Sequence, residues 1–196
     1  MNLRDRVINI LKSPRQEWDV IAQETTDTAT LYKGYIIPLA AIPVIASFIG
    51  MVTIGVPTIV GSIRVSPVRG LANAVVSYVF ALIGIYVAAL VIDWLAPKFQ
   101  SEKSVIQALK LVAYSMTPAW IAGVLMLIPF LGILAIIGGL YGIYLFYLGM
   151  TPMMKTPSDK VIPYMVVSAV VVILVQIVIG VLVNLVTPAY QVPAVF

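Results

Sequence analysis

Asp93 and Lys110 stand near the margins of long apolar runs. An ionisable side chain inside a membrane segment is costly enough to mark a functional site by default. The two flank one short loop and could pair there. The structural alternative, favoured by their closeness to the run ends, keeps Asp93 at the interface while Lys110 extends its ammonium to the headgroups. Lys110 also opens a polar face, because Lys110, Tyr114, Thr117 and Ile121 recur at three- and four-residue spacing with Ser115 and Pro118 beside them. Pro118 has no N–H and so frees a carbonyl for hydroxyl or water contacts. This stretch reads either as the wall of a solvent-lined cavity or as the joint that bends a helix. Further on, Ser168, Gln176, Gly180 and Asn184 fall at multiples of four, a polar and small stripe that must face protein or water rather than lipid. Tyr141, Tyr144 and Tyr147 recur every three residues; an aromatic belt accounts for them without a ligand.

The chemistry that is missing narrows the classes further. The chain has no cysteine and no histidine, which removes thiolate chemistry, disulfides, the commonest general base and the usual pH switch. It has no phosphate-binding glycine loop, no metal-ligand cluster and no nucleophile with a base, so no catalytic residue, cofactor or metal is predicted. Glu102 and Asp159 sit beside Lys103 and Lys160 as solvated pairs. The twelve Lys and Arg residues are scattered at helix ends rather than gathered in a patch, which argues against nucleic acid despite the net charge of +4.

The elements that must position these residues are membrane helices. Of 196 residues, 61% are hydrophobic and 10% charged, with a mean hydropathy of +1.06, more apolar surface than a water-soluble domain could hide. The runs lack the alternation of a membrane barrel, so backbone satisfaction in hydrocarbon demands helices. Five spans of the roughly 20 residues required are predicted at about 35–60, 71–95, 105–128, 131–150 and 162–186. The fold class is an all-α membrane protein, a five-helix bundle. The third and fourth spans form a tight hairpin at Pro129 and Phe130, and the first, with Pro38, Pro43 and Pro57, should be kinked or broken. Gly138-xxx-Gly142 and Gly84-xxx-Ala88 permit close helix approach, within one chain or in a homo-oligomer.

Residues 1–34 read as a cytoplasmic, interfacial segment without the apolar core of a cleavable secretion signal, leaving that role to the first span. Leu3, Val7, Ile10 and Leu11 make one short amphipathic helix before Pro14. Trp18, Ile21 and Ala22 suggest a second, with Glu17, Asp19 and Glu24 facing water. A cytoplasmic N-terminus puts Arg4, Arg6, Lys12, Arg15, Lys33, Lys98, Lys103, Lys110, Lys155 and Lys160 on one side, against Arg64 and Arg69. This positive-inside bias predicts N-terminus in, C-terminus out, with residues 187–196 a short extracytoplasmic tail.

Leu109-Lys110, Ala113-Tyr114-Ser115, Thr117-Pro118 and Trp120 resemble the central motif of the bacterial branch of the Yip family, membrane proteins named for interaction with Ypt and Rab GTPases. Ser13-Pro14 with Trp18, Leu140-Tyr141-Gly142 with Tyr144-Leu145, and Lys155, Pro157 and Asp159-Lys160 extend the similarity over nearly the whole chain. The resemblance implies five spans and a cytoplasmic N-terminus, and a bacterial cytoplasmic (inner) membrane location. The trafficking role of the eukaryotic members is not implied, because the chain lacks their long acidic N-terminal region and their aspartate-leucine-tyrosine-glycine-proline signature.

The expected function is a non-enzymatic membrane-organising or protein/lipid-interaction module. Its partners would be membrane lipids and membrane or cytoplasmic proteins, met at a face formed by the head with Trp18 and by Lys155, Asp159 and Lys160. Removing the head should weaken association yet leave the bundle folded. The alternative is a small transporter, channel or lipid translocator in which the polar faces of the third and fifth spans converge on one cavity.

Overall fold

The computed structural model describes residues 2–58 and 61–186; the tail over 187–196 lies outside the described residues. The chain opens with two short helices, α1 (Leu3–Lys12) and α2 (Pro14–Gln23). Asn2 caps α1 by accepting from the Asp5 amide. Pro14 starts α2 at a position where a missing N–H costs nothing. The pair folds back as a hairpin over the ends of the long helices. Ile10, Trp18 and Ile21 are fully buried there, so the amphipathic head packs into the core of the bundle.

The first apolar helix begins as α3 (Thr28–Leu31), capped by Asp27, passes through a π-helical turn at Tyr32–Ile36 and continues as α4 (Ile37–Thr53). The wide turn lies immediately before Pro38, where the normal hydrogen-bond ladder lacks a donor. Gly55, at φ 92°, turns the chain out of α4; its N–H bonds back to the Gly50 carbonyl at 3.0 Å. The apolar run continues, but as a two-stranded antiparallel hairpin, β1 (Val56–Thr58) and β2 (Gly61–Ile63).

Next come α5 (Pro67–Leu95), α6 (Val105–Ser115), α7 (Thr117–Ala122), α8 (Ala135–Met154) and α9 (Val161–Val186). Pro118 in the first turn of α7 separates it from α6, and two 3₁₀ segments, Gly123–Leu127 and Pro129–Leu134, make the hairpin to α8. Among the described residues four helical stretches are long and apolar enough to cross a membrane: Thr28–Thr53, Pro67–Phe99, Val105–Leu127 and Pro129–Met154. Within α9, the stretch Val161–Val175 is likewise apolar.

The bundle closes through glycine. A Cβ on Gly138 would stand 2.6 Å from the Pro118 carbonyl oxygen, one on Gly142 2.7 Å from that of Ser115, and one on Gly149 2.6 Å from Leu111 Cδ1 and 2.8 Å from the Trp18 ring. The Gly138-xxx-Gly142 motif thus serves a contact within one chain, seating α8 on α6 and α7.

Candidate functional site

The third span meets the head at Lys110. Its ammonium donates to the Ile21 carbonyl at 3.0 Å and to that of Glu24. Those carbonyls belong to the last turn and cap of α2, which has no basic residue of its own in that turn. Carbonyls at a helix end lack intrahelical donors and carry the negative end of the helix dipole, so Lys110 closes α2 from another element. At 3% exposure it neither reaches the headgroups nor pairs with Asp93. Asp93, also buried, instead faces the exposed Lys103 at 3.7 Å. The sequence left those two residues free to pair; the structure separates them.

Around Lys110 lies a compact polar knot. Arg6, 5% exposed, donates to both Glu17 and Glu24 and sits 5.4 Å from the centre of the Tyr114 ring, within reach of a cation–π attraction. Burial disfavours the Arg6 charge, but the Glu24 hydrogen bond and the field of the two carboxylates outweigh it and hold the guanidinium above its ordinary value. Glu17 is buried and does not face water as its sequence position suggested.

Tyr114 is held edge-on between Trp18 at 6.2 Å and Tyr35 at 4.6 Å. The Tyr35 hydroxyl in turn meets Thr117 Oγ1 at 2.7 Å. The Tyr114/Thr117 face of the third span is therefore spent on contacts with the head and the first span. A cleft of about 560 Å³ opens beside it, bordered by Arg6, Glu24, Thr30, Tyr35 and Tyr114. Its cation already has two carboxylate partners, so the cleft offers no free positive charge to an anion.

The other sequence candidates fall in three places. Tyr141 donates to the Leu11 carbonyl at 2.9 Å, fastening α8 to α1, while Tyr144 stacks obliquely on it at 5.7 Å and is half-exposed beside the Ser13–Gln16 turn. Pro118 is buried against Gly138. Lys155, the left-handed cap of α8 at φ 49°, reaches Glu102 at 2.7 Å, and Lys160 lies 3.4 Å from Asp159; both pairs are largely exposed. Trp18 is absent from this outer face, being wholly buried. Ser115 and Ser168 line one apolar cavity between α5, α6, α8 and α9. Gln176 and Asn184 lie on α9, but their side chains are outside the described residues.

Sequence reasoning missed Arg6, Glu17 and Tyr35. A signal existed for the first: Arg6 stands three residues after Leu3 and four before Ile10, on the apolar stripe of α1. A charge on that stripe requires a buried partner. Among the described residues no cluster of acidic side chains could hold a metal ion.

The Yip1 domain matches residues 8–180. The inner membrane protein YohC of Escherichia coli K12 is 31% identical over 158 residues, covering 79% of this chain and 81% of YohC. YohC of the Escherichia coli O6:H1 strain CFT073 matches to the same extent. No solved structure gives a significant match. With the family domain covering most of the chain and its apolar helices long enough to span a bilayer, this integral inner-membrane protein belongs to the Yip1 domain family.

Proposed function

We infer that the protein is a non-enzymatic, five-span membrane-organising module that meets lipids and protein partners at its cytoplasmic face. The observation that carries this reading is the head docked onto Lys110. It closes one end of the bundle with packed side chains and leaves the outer loops as the accessible charged surface. Lys98, Lys103, Lys155 and Lys160 stand on that surface, where each basic residue near anionic headgroups is worth ~1 kcal/mol. The fifth span in this reading is α9, and the ten-to-two distribution of basic residues puts the N-terminus and these lysines in the cytoplasm, with Arg64 and Arg69 opposite. Residues 1–34 form the cap and 35–186 the membrane domain. The inward-turned polar face of the third span favours this reading over a transporter.

Orientation is directly measurable because the chain has no cysteine. Single cysteines at Arg64 and Lys155, probed with an impermeant maleimide, should label from the periplasmic and cytoplasmic sides respectively; the reverse result sinks the topology. For function, photocrosslinkers at Lys98 and Lys155 in native membranes should give discrete adducts, and reconstituted protein should pass no ions and scramble no lipid. Robust flux or scrambling by the wild type would replace this reading with transport.

A further inference from the structure

The head hairpin reaches down one flank of the bundle. Ile21 is held by Lys110, Trp18 packs at Gly149, and the Leu11 carbonyl accepts from Tyr141. Gly149 stands five residues before Met154, the end of α8, and Tyr141 thirteen. At ~1.5 Å per residue the hairpin therefore descends about 12 Å along α8 between Trp18 and Leu11. Its tip, Lys12-Ser13-Pro14-Arg15, shares a cleft with Tyr144, about 15 Å short of the end of α8. Lys12, Ser13, Arg15 and Gln16 are exposed, and neither cation has an ion-pair partner among the described residues. On the outer loops, by contrast, Lys103, Lys155 and Lys160 each face a carboxylate.

The apolar surface beyond the tip is short. About 14 Å of α8 remains between Tyr144 and Ala135, with Ile136, Leu140 and Ile143 exposed on it, and the 3₁₀ segment bearing Phe130 and Ile133 completes it. On α5 the exposed apolar residues run from Val68 to Leu90, about 33 Å, which matches ~30 Å of hydrocarbon. Both surfaces start from one level: a Cβ on Gly70 of α5 would meet Phe48 and Val52 of α4, and one on Gly50 of α4 would meet the Leu127 carbonyl at the turn before α8. A flat bilayer fitted to α5 would submerge Lys12 and Arg15 beside α8, and charge in hydrocarbon is expensive. A bilayer meets a short apolar surface by thinning against it, at modest cost. Thinning on this flank brings headgroups to the tip.

We propose that the tip of the head hairpin binds the phosphate of an anionic phospholipid, held by Lys12 and Arg15 in a locally thinned leaflet beside α8. The cleft of about 270 Å³ between Ser13, Arg15, Gln16 and Tyr144 offers hydroxyl, amide and guanidinium donors, which a phosphodiester accepts from. No carboxylate lines it, so the ammonium of a zwitterionic headgroup finds no counter-charge there. A lipid whose one charge is its phosphate fits best, with its chains along Ile136, Leu140 and Ile143. This site rests on the interaction reading for its lipid contact, and names the lipid and a place for it on the head.

The full chain, in detergent, is titrated with dioleoyl phosphatidylglycerol and with dioleoyl phosphatidylcholine as the matched zwitterion, and bound lipid is followed by native mass spectrometry. A saturable phosphatidylglycerol adduct is expected. Lys12→Gln with Arg15→Gln should weaken it about thirtyfold, about fivefold for each cation, while Lys12→Arg with Arg15→Lys keeps it. Both residues are exposed, and circular dichroism checks that the variants fold. In nanodiscs of phosphatidylglycerol, a nitroxide on Gln16→Cys should be as open to a water-soluble relaxation agent as one on Lys155→Cys. Equal binding of the two lipids, an adduct that survives the double glutamine variant, or a Gln16 nitroxide sheltered as in hydrocarbon overturns the proposal. Competition by glycerol 1-phosphate at the same concentration overturns it in favour of a soluble phosphate. Loss of the adduct in Lys98→Gln with Lys155→Gln instead assigns the lipid to the outer loops, which overturns this site and keeps the interaction reading. A tip adduct found together with ion flux through the wild type would support this site and remove that reading.

Discussion

Lys110 on the third apolar stretch donates its ammonium to the carbonyl of Ile21 at 3.0 Å, and so ties a helical stretch long enough to cross a membrane to the last turn of the short α2. Lys110 is 3% exposed, and its charge ends on carbonyls that α2 cannot satisfy itself. Lys110→Met keeps the stem and removes the charge. Hydrogen bonds from a charged donor contribute roughly 1.5–3 kcal/mol, so the variant should lose about 2–3 kcal/mol. The loss should concentrate in the head. Limited trypsin digestion should cut faster after the exposed Lys12 and Arg15, and unchanged cutting would show that Lys110 does not hold α2.

Gly149 and Gly139 sit on one helix with opposite surroundings. A methyl on Gly149 would meet Leu111 Cδ1 and the Trp18 ring at under 3 Å, whereas one on Gly139 meets nothing within 4 Å. Overpacking a core costs typically ~1–3 kcal/mol, while Gly→Ala in a free helical position gains roughly 0.5–1 kcal/mol. Denaturant midpoints should therefore fall for Gly149→Ala and hold or rise for Gly139→Ala. Equal effects would mean that the close approach of α8 to the head does not limit packing.

Asp27 couples the cap of the first apolar helix to pH. The Thr30 hydroxyl and then the Thr30 amide hold its carboxyl below the usual range. A carboxyl lowered in the folded state adds stability above its unfolded pKa and loses it as pH falls through the folded value. The capping of the first apolar helix should weaken on acidification through and below the ordinary aspartate range. Asp27→Ala should remove that part of the pH dependence; a profile identical to wild type below pH 4 would assign the acid response to other groups.

How much of this was legible before folding depends on the distance between partners. The membrane class, the joint at Pro118 and the tight 129–130 hairpin follow from local composition, because hydrocarbon and proline act on neighbouring residues. The end of the first helix was readable only in part. Hydropathy runs on to Val60, while Gly55 and Gly61 carried the turn signal that hydropathy alone overrides. The knot was not readable, since Lys110 meets Ile21 and Glu24 across 89 and 86 residues. No periodicity links such positions. Glu17 looked solvated because its helix was judged alone, without the Arg6 that faces it.

Deleting residues 1–24 separates a detachable anchor from an integral cap. A detachable anchor would leave the bundle as stable as before. Here the deletion would remove Trp18 and Ile21 from the core, take Arg6 from Tyr114, and strip Lys110 of both carbonyls. Burying one large apolar side chain contributes about 1.5–3 kcal/mol, and the deletion takes three fully buried ones, Ile10, Trp18 and Ile21. The loss approaches the 5–15 kcal/mol that holds a typical domain folded. The truncated protein should therefore unfold at markedly lower temperature and lose protection around Tyr114 in hydrogen exchange. Supplying residues 1–27 as a separate peptide should restore part of that protection, because α1 and α2 dock through side chains rather than through chain connectivity. A truncated bundle with wild-type stability would return the head to the status of a peripheral anchor.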